Sequence, residues 1–165
     1  MDLFRKGVAP IMRRRATSGF SLIEILTVVA IASVLAAIAV PLTLNALKSV
    51  RLTAAVSSST GAIQSTRYAA IMHGYPYQLT FTPSTNSYQA ASQIPPATSF
   101  SNVGTPVPIS RPGDATLSRS VTFQFSANGT VTETSNDMTF SITNAVGGSN
   151  TITVSTVGNV SVTSP

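Results

Sequence analysis

The sequence predicts an α+β fold in which a long N-terminal helix packs against antiparallel β-sheet. Residues 25–40 form an uncharged apolar run, and apolar residues then recur as far as residue 70 at spacings that are mostly three, four or multiples of these. From residue 77 onward, short segments of alternating apolar and polar residues are separated by Asn, Gly and Pro, which is typical of β-hairpins. The 165-residue chain therefore divides into a helical part and a β-rich part.

The predicted helix begins at Phe20 and ends before Gly74, a residue type favoured just beyond a helix C-terminus. Residues 20–40 are apolar on nearly all sides, as in a lipid bilayer or at the centre of a helical bundle. Pro41 removes a backbone donor and predicts a kink. Beyond it, an apolar stripe is predicted to face the sheet: Leu44, Leu47, Leu52, Val56, Ile63 and Ala70.

The β-rich part is predicted to open with strands at 77–82 and 87–90. Residues 92–118 hold five prolines and little alternation, so we expect a long surface loop with one short strand at 107–109. The remaining strands are predicted at 120–126, 130–134, 138–143, 151–155 and 160–162.

The formal charge of +5 is interpreted as a signal for orientation in a membrane and not as a sign of a nucleic-acid partner. Five of the ten basic residues lie in the first 19 positions, and no Lys or Arg follows Arg119. The basic cluster at 13–15, directly before the apolar run, is typical of a membrane-targeting signal whose positive end stays in the cytoplasm. Without cysteine, the chain folds without disulfides.

Glu24 is the charged residue inside the apolar segment that begins at Phe20. A carboxylate in the middle of a membrane helix costs on the order of 2.5–3.5 kcal/mol, so such a residue is a functional candidate. A buried carboxylate is tolerated when a positive group pairs with it, and the sequence therefore predicts a cationic partner for Glu24.

Gly19-Phe20, with Glu24 five positions into the apolar segment, resembles the class III signal of type IV pilins and type II secretion pseudopilins. The resemblance implies that a prepilin peptidase cuts between Gly19 and Phe20 and N-methylates Phe20. It also implies that Glu24 is the assembly carboxylate, which neutralises the terminal amine of a neighbouring subunit. Pro41 matches a proline position of the family.

The resemblance also implies an order of segments and a location. Residues 1–19 would be a cytoplasmic leader, 20–41 a transmembrane and filament-core helix, 42–74 an amphipathic helix and 75–165 a periplasmic β-rich domain. The mature chain would cross the bacterial inner membrane once and then join other pilin-like subunits in a filament that faces the periplasm. Translation from Met12 would give a shorter leader, closer to the usual family form, and both Met1 and Met12 remain open as starts.

The later chain narrows the resemblance to the H-type minor pseudopilins and related minor pilins. This narrower resemblance rests on residues 67–81, where the predicted helix leads directly into a strand. It also rests on the succession of predicted paired strands over residues 123–160. The implied function is a structural subunit of a type II secretion pseudopilus, which takes part in protein secretion. A minor type IV pilin, in pilus biogenesis or DNA uptake, is the alternative within the family.

A secreted β-rich binding protein is the alternative from another class. Residues 37–39 form an A-x-A site, and a signal peptidase cutting after Ala39 would release a domain that starts at Val40. This alternative leaves Gly19-Phe20 unexplained and places Glu24 inside a hydrophobic region where signal peptides avoid charge.

Catalytic, metal and cofactor sites are not predicted. His73 is the single histidine, and a catalytic triad would need it beside Asp114 or Asp137, without the G-x-S-x-G pattern that marks many hydrolase nucleophiles. Tyr75 and Tyr77 are candidates for a binding groove, but packing against the sheet is the favoured interpretation.

Overall fold

The computed structural model describes residues 19–133 and 137–164, without the side chain of Glu133. The predicted α+β class is confirmed, whereas the leader and the alternative start at Met12 lie outside the described residues. The chain divides into two compact units between Val40 and Pro41. The elements are α1 (Leu22–His73), β1 (Tyr77–Thr82), β2 (Ser87–Ser92), β3 (Ser101–Pro108), β4 (Ala115–Leu117), β5 (Val121–Phe125), β6 (Val131–Glu133), β7 (Thr139–Asn144), β8 (Ser149–Val154) and β9 (Val160–Thr163).

Helix α1 ends where the sequence predicts. Gly74 adopts φ +73°, a left-handed conformation that glycine reaches at little cost, and its N–H lies 3.0 Å from the carbonyl oxygen of Ala70. Pro41 lies inside α1, and the kink there stays a prediction.

The strands form two antiparallel sheets. The larger sheet has the order β3-β2-β1-β5-β6, and the smaller has the order β4-β7-β8-β9. In β1 the residues Tyr77, Leu79 and Phe81 alternate with half-buried polar residues, so one face of the strand lies in the core. At the centre of the larger sheet, Leu79 pairs with Ala90 on one side and Phe123 on the other.

The core of the second unit joins both sheets to one face of α1. Phe81 from the larger sheet and Phe140 from the smaller one have ring centroids 4.8 Å apart. The buried residues of α1 are Leu52, Ala55, Val56, Ser59, Ala62, Ile63, Thr66 and Ala70.

The predicted apolar stripe is wrong at its first two positions. Leu44 and Leu47 are 53% and 43% exposed, and the buried face of α1 starts only at Leu52. Helical spacing identifies an apolar face but not what covers it, so the predicted stripe starts closer to the N-terminus than the buried face does.

The predicted long loop at 92–118 is also wrong in part, because it contains β3 and β4. All eight residues of β3 are exposed, so the strand shows no apolar alternation. It lies at the edge of the larger sheet, where prolines such as Pro106 and Pro108 are tolerated. Its register shifts opposite Gln89, whose amide nitrogen donates to the carbonyl oxygens of Val103 (3.1 Å) and Gly104 (3.5 Å).

Candidate functional site

The candidate site begins at the first turn of α1. The carbonyl oxygen of Ser21 accepts hydrogen bonds from the amides of Glu24 (3.0 Å) and Ile25 (3.2 Å), so Ser21 occupies the N-cap position. Ser21 and Glu24 therefore have the spacing of a capping box. The negative charge of Glu24 also lies near the positive end of the helix dipole, which contributes roughly 0.3–1 kcal/mol at an exposed site.

Glu24 differs from the other polar side chains between Leu22 and Val40. The hydroxyls of Thr27 and Ser33 donate to backbone carbonyl oxygens four residues earlier, at 2.8 Å and 2.7 Å. Such bonds satisfy a hydroxyl within its own helix and make it compatible with an apolar environment. The carboxylate of Glu24 forms no hydrogen bond or ion pair with any described residue, so the predicted cationic partner is not found in this part of the chain.

The apolar side chains around Glu24 are exposed. Phe20, Leu22 and Ile23 are 78%, 82% and 66% exposed, and the pattern continues as far as Val50, which is 64% exposed. Within the described residues, α1 is the helix that is long and apolar enough to cross a membrane, and its most apolar stretch is not buried. An apolar surface of this extent is typical of a segment covered by lipid or by other protein.

The predicted cleavage site lies just before the helix. Gly19 and Phe20 precede α1, and both are exposed. A Cβ atom at Gly19 would have no neighbour within 4 Å, so the described part of the chain does not crowd the backbone between the two residues.

Comparison with known families identifies this N-terminal segment. Residues 14–40 match the model of the prokaryotic N-terminal methylation motif. That match covers the two predicted cleavage residues, Glu24 and the exposed apolar turns. The chain therefore carries the N-terminal motif of type IV pilin-like proteins.

The fold of this pilin-like protein agrees with the motif. It is similar to the structure of the minor pseudopilin EpsH from the type 2 secretion system of Vibrio cholerae, with a TM-score of 0.52 and 13% sequence identity. The match covers 68% of this chain and 97% of that one. No curated protein matches the sequence. In fold, the chain is therefore similar to this minor pseudopilin.

The structure separates the residues considered for catalysis. The Asp114 carboxylate lies 2.6 Å from the Arg51 guanidinium, and that of Asp137 lies 3.3 Å from the Arg119 guanidinium. His73 instead stacks on Tyr75 and Tyr77, with ring centroids 5.5 Å and 5.9 Å away. In the described ranges no group of three or more His, Asp or Glu residues could hold a metal ion.

Sequence reasoning missed two features of this pilin-like protein. The N-cap at Ser21, with the spacing of a capping box, was visible in the sequence as Ser21-Leu22-Ile23-Glu24, a serine followed by glutamate three residues later. The second feature is the packing of Arg67 against two turns, which local sequence does not reveal. The Nε–H of Arg67 donates to the carbonyl oxygen of Gly129 at 3.0 Å, and Gly158 leaves room for the same side chain.

Tyr77 is expected to make folding stability fall at high pH. Its hydroxyl lies 3.5 Å from that of Tyr75, and this hydrogen bond, together with burial, raises the pKa of Tyr77 to about 12. An unfolded tyrosine titrates near 10 (its usual pKa). The stabilisation is therefore complete below pH ~10 and is lost as the pH rises toward the folded pKa. An ultraviolet titration of the tyrosines checks the raised pKa, because Tyr77→Phe should remove the deprotonation step that occurs at the highest pH.

Proposed function

We propose that this pilin-like protein is a minor pseudopilin subunit of a type II secretion system, with a structural and not a catalytic role. One observation carries the proposal. The carboxylate of Glu24, which has no partner among the described residues, lies in the first turn of an exposed apolar helix that bears the N-terminal methylation motif. Membrane insertion and helix packing account for the apolar surface, and filament assembly accounts for the carboxylate.

Processing would supply the missing cation. Before cleavage the nitrogen of Phe20 is a neutral amide, whereas a prepilin peptidase acting after Gly19 would turn it into an amine. An α-amino group has a pKa of about 7.7–8.0, so it is largely protonated at neutral pH, and N-methylation leaves a basic nitrogen. In a filament of packed helices, the amine of one subunit would pair with Glu24 of its neighbour and lower the cost of burying either charge.

The orientation follows from the charges that flank the apolar helix. The basic residues before Gly19 would hold the N-terminus in the cytoplasm, and the β-rich domain would face the periplasm. Before assembly the helix would cross the inner membrane once, and during assembly it would exchange lipid for the helices of other pilin-like subunits.

The test of processing is the intact mass and N-terminal sequence of the mature protein from its native host. We expect a chain that begins with N-methylated Phe20. A chain that begins at Val40 would mean an ordinary signal peptide and a secreted domain, and it would overturn the proposal.

A deletion strain tests the assignment to secretion. Loss of type II secretion with normal surface pili is the expected result. Loss of pili or of DNA uptake, with secretion unchanged, would instead identify a minor type IV pilin.

A further inference from the structure

A cleft of about 380 Å³ lies between α1 and the segment that joins β3 to β4. From α1 it is lined by Arg51, Ala54 and Ala55, and from the joining segment by Ile109, Ser110, Arg111 and Asp114. All of these residues belong to the second unit of the chain. The cleft therefore brings two guanidinium groups together from positions 60 residues apart in the sequence.

The two arginines differ in their partners. Arg51 is held by Asp114, whose carboxylate oxygen lies 2.6 Å from Nη1 and whose side chain is only 13% exposed. Arg111 is exposed, and its side chain forms no hydrogen bond or ion pair with any described residue. Lys48, half-buried and one turn before Arg51, lies on the same side of α1. The cleft itself therefore holds two guanidinium groups against one carboxylate, and Lys48 adds a third cation one helical turn away.

The position of these cations in the sequence points to the membrane surface. Lys48 is the first charged residue after Glu24, and the uncharged interval 25–47 separates them. At a helical rise of about 1.5 Å per residue, this interval measures roughly 35 Å, a little more than the hydrocarbon core of about 30 Å. Cations just beyond such a segment lie at the depth of the phospholipid headgroups.

We propose that this cleft binds the phosphate group of an anionic phospholipid on the periplasmic side of the inner membrane. The inference rests on the membrane anchoring in the proposed function. Guanidinium groups suit this ligand because their planar N–H groups match phosphate oxygens. A second copy of the chain is a poorer ligand for this basic cleft, because it has few acidic side chains to offer. Beyond residue 41 these are Asp114, Glu133 and Asp137, and two of them already pair with arginines.

The consequence is a preferred depth in the bilayer for the unassembled subunit. Headgroup contacts at Lys48, Arg51 and Arg111 would hold the base of the periplasmic domain at the membrane surface. Extraction into a filament would require these contacts to break, so the cleft would add to the work of leaving the membrane.

The test is a lipid titration of the full chain in neutral detergent, followed by native mass spectrometry. We expect phosphatidylglycerol to bind more tightly than zwitterionic phosphatidylcholine. Near an anionic membrane each basic residue contributes about 1 kcal/mol, so Arg111→Gln is expected to weaken phosphatidylglycerol binding about fivefold, and Lys48→Gln with Arg111→Gln about 25-fold. Arg111→Lys keeps the charge but not the planar N–H groups, so it is expected to retain part of the preference.

Three results would overturn the inference: equal binding of the two lipids, unchanged binding by Arg111→Gln, or equal losses in the Gln and Lys variants. Complete displacement of the lipid by inorganic phosphate would also overturn the inference, because the cleft would then be a site for a free anion. Membrane fractionation of cells that produce the chain separates this inference from the proposed function. A chain recovered in the soluble fraction contradicts membrane anchoring, whereas a membrane-bound chain without lipid preference contradicts only the cleft.

Discussion

Replacing Glu24 by alanine should leave membrane insertion and cleavage intact and abolish entry into filaments. Insertion should persist because alanine removes a charge that is costly in lipid, and the cleavage residues Gly19 and Phe20 are unchanged. Assembly should fail because the terminal amine of a neighbouring subunit would be buried without its partner. Breaking a buried ion pair in this way costs about 3–5 kcal/mol, equivalent to more than a hundredfold loss of incorporation. Cross-linking of the subunit to its filament neighbours measures the incorporation.

Glu24→Gln is the matched control, because Glu24 also occupies the N3 position of a helix whose N-cap residue is Ser21. Glutamine can fill that position but carries no charge. If the charge is what assembly needs, the glutamine variant should fail like the alanine variant, and Glu24→Asp should retain part of the incorporation. Normal incorporation of the glutamine variant would show that the first helical turn, and not an intersubunit ion pair, is what the residue supports.

Gly158→Ala should produce one of the largest losses of folding stability among single methyl additions. Gly158 has φ +83°, and a Cβ atom there would lie 2.3 Å from Nε and 2.6 Å from Cδ of Arg67. The left-handed conformation costs a non-glycine residue about 1–2 kcal/mol. Moving Arg67 would also break its bond to the carbonyl oxygen of Gly129, and hydrogen bonds to charged groups contribute about 1.5–3 kcal/mol. We therefore expect a loss of about 3 kcal/mol or more in denaturant unfolding of the full chain.

Gly147→Ala separates the two causes. Gly147 has φ +87°, close to that of Gly158, but a Cβ atom there would have no neighbour within 4 Å. Its replacement should therefore cost only the backbone term of about 1–2 kcal/mol. In an Arg67→Ala background the two glycine variants should become equally destabilising. Equal losses in the unaltered background would instead mean that the Arg67 side chain moves aside at no cost.

The strands show where prediction from sequence succeeds and fails. β1 and β5 were predicted closely because their alternate residues, such as Leu79 and Phe123, are fully buried and give a clear period of two. Only the last two residues of β3 fall in the strand predicted at 107–109, because an exposed edge strand has no buried face to impose that period. Its pairing depends on the neighbouring strand and on the Gln89 side chain, and neither is encoded within residues 101–108.

By itself, the sequence determined the fold class, the extent of α1, and the methylation motif with Glu24 placed within it. These features depend on residues close together in the chain, where local periodicity, capping and charge are decisive. Tertiary structure alone decided which turns of α1 are buried, how Arg67 fits beside Gly158, and that Arg51 and Arg111 line one cleft. Each of these depends on the approach of segments distant in sequence, which is fixed by packing the two sheets and the helix into a single core.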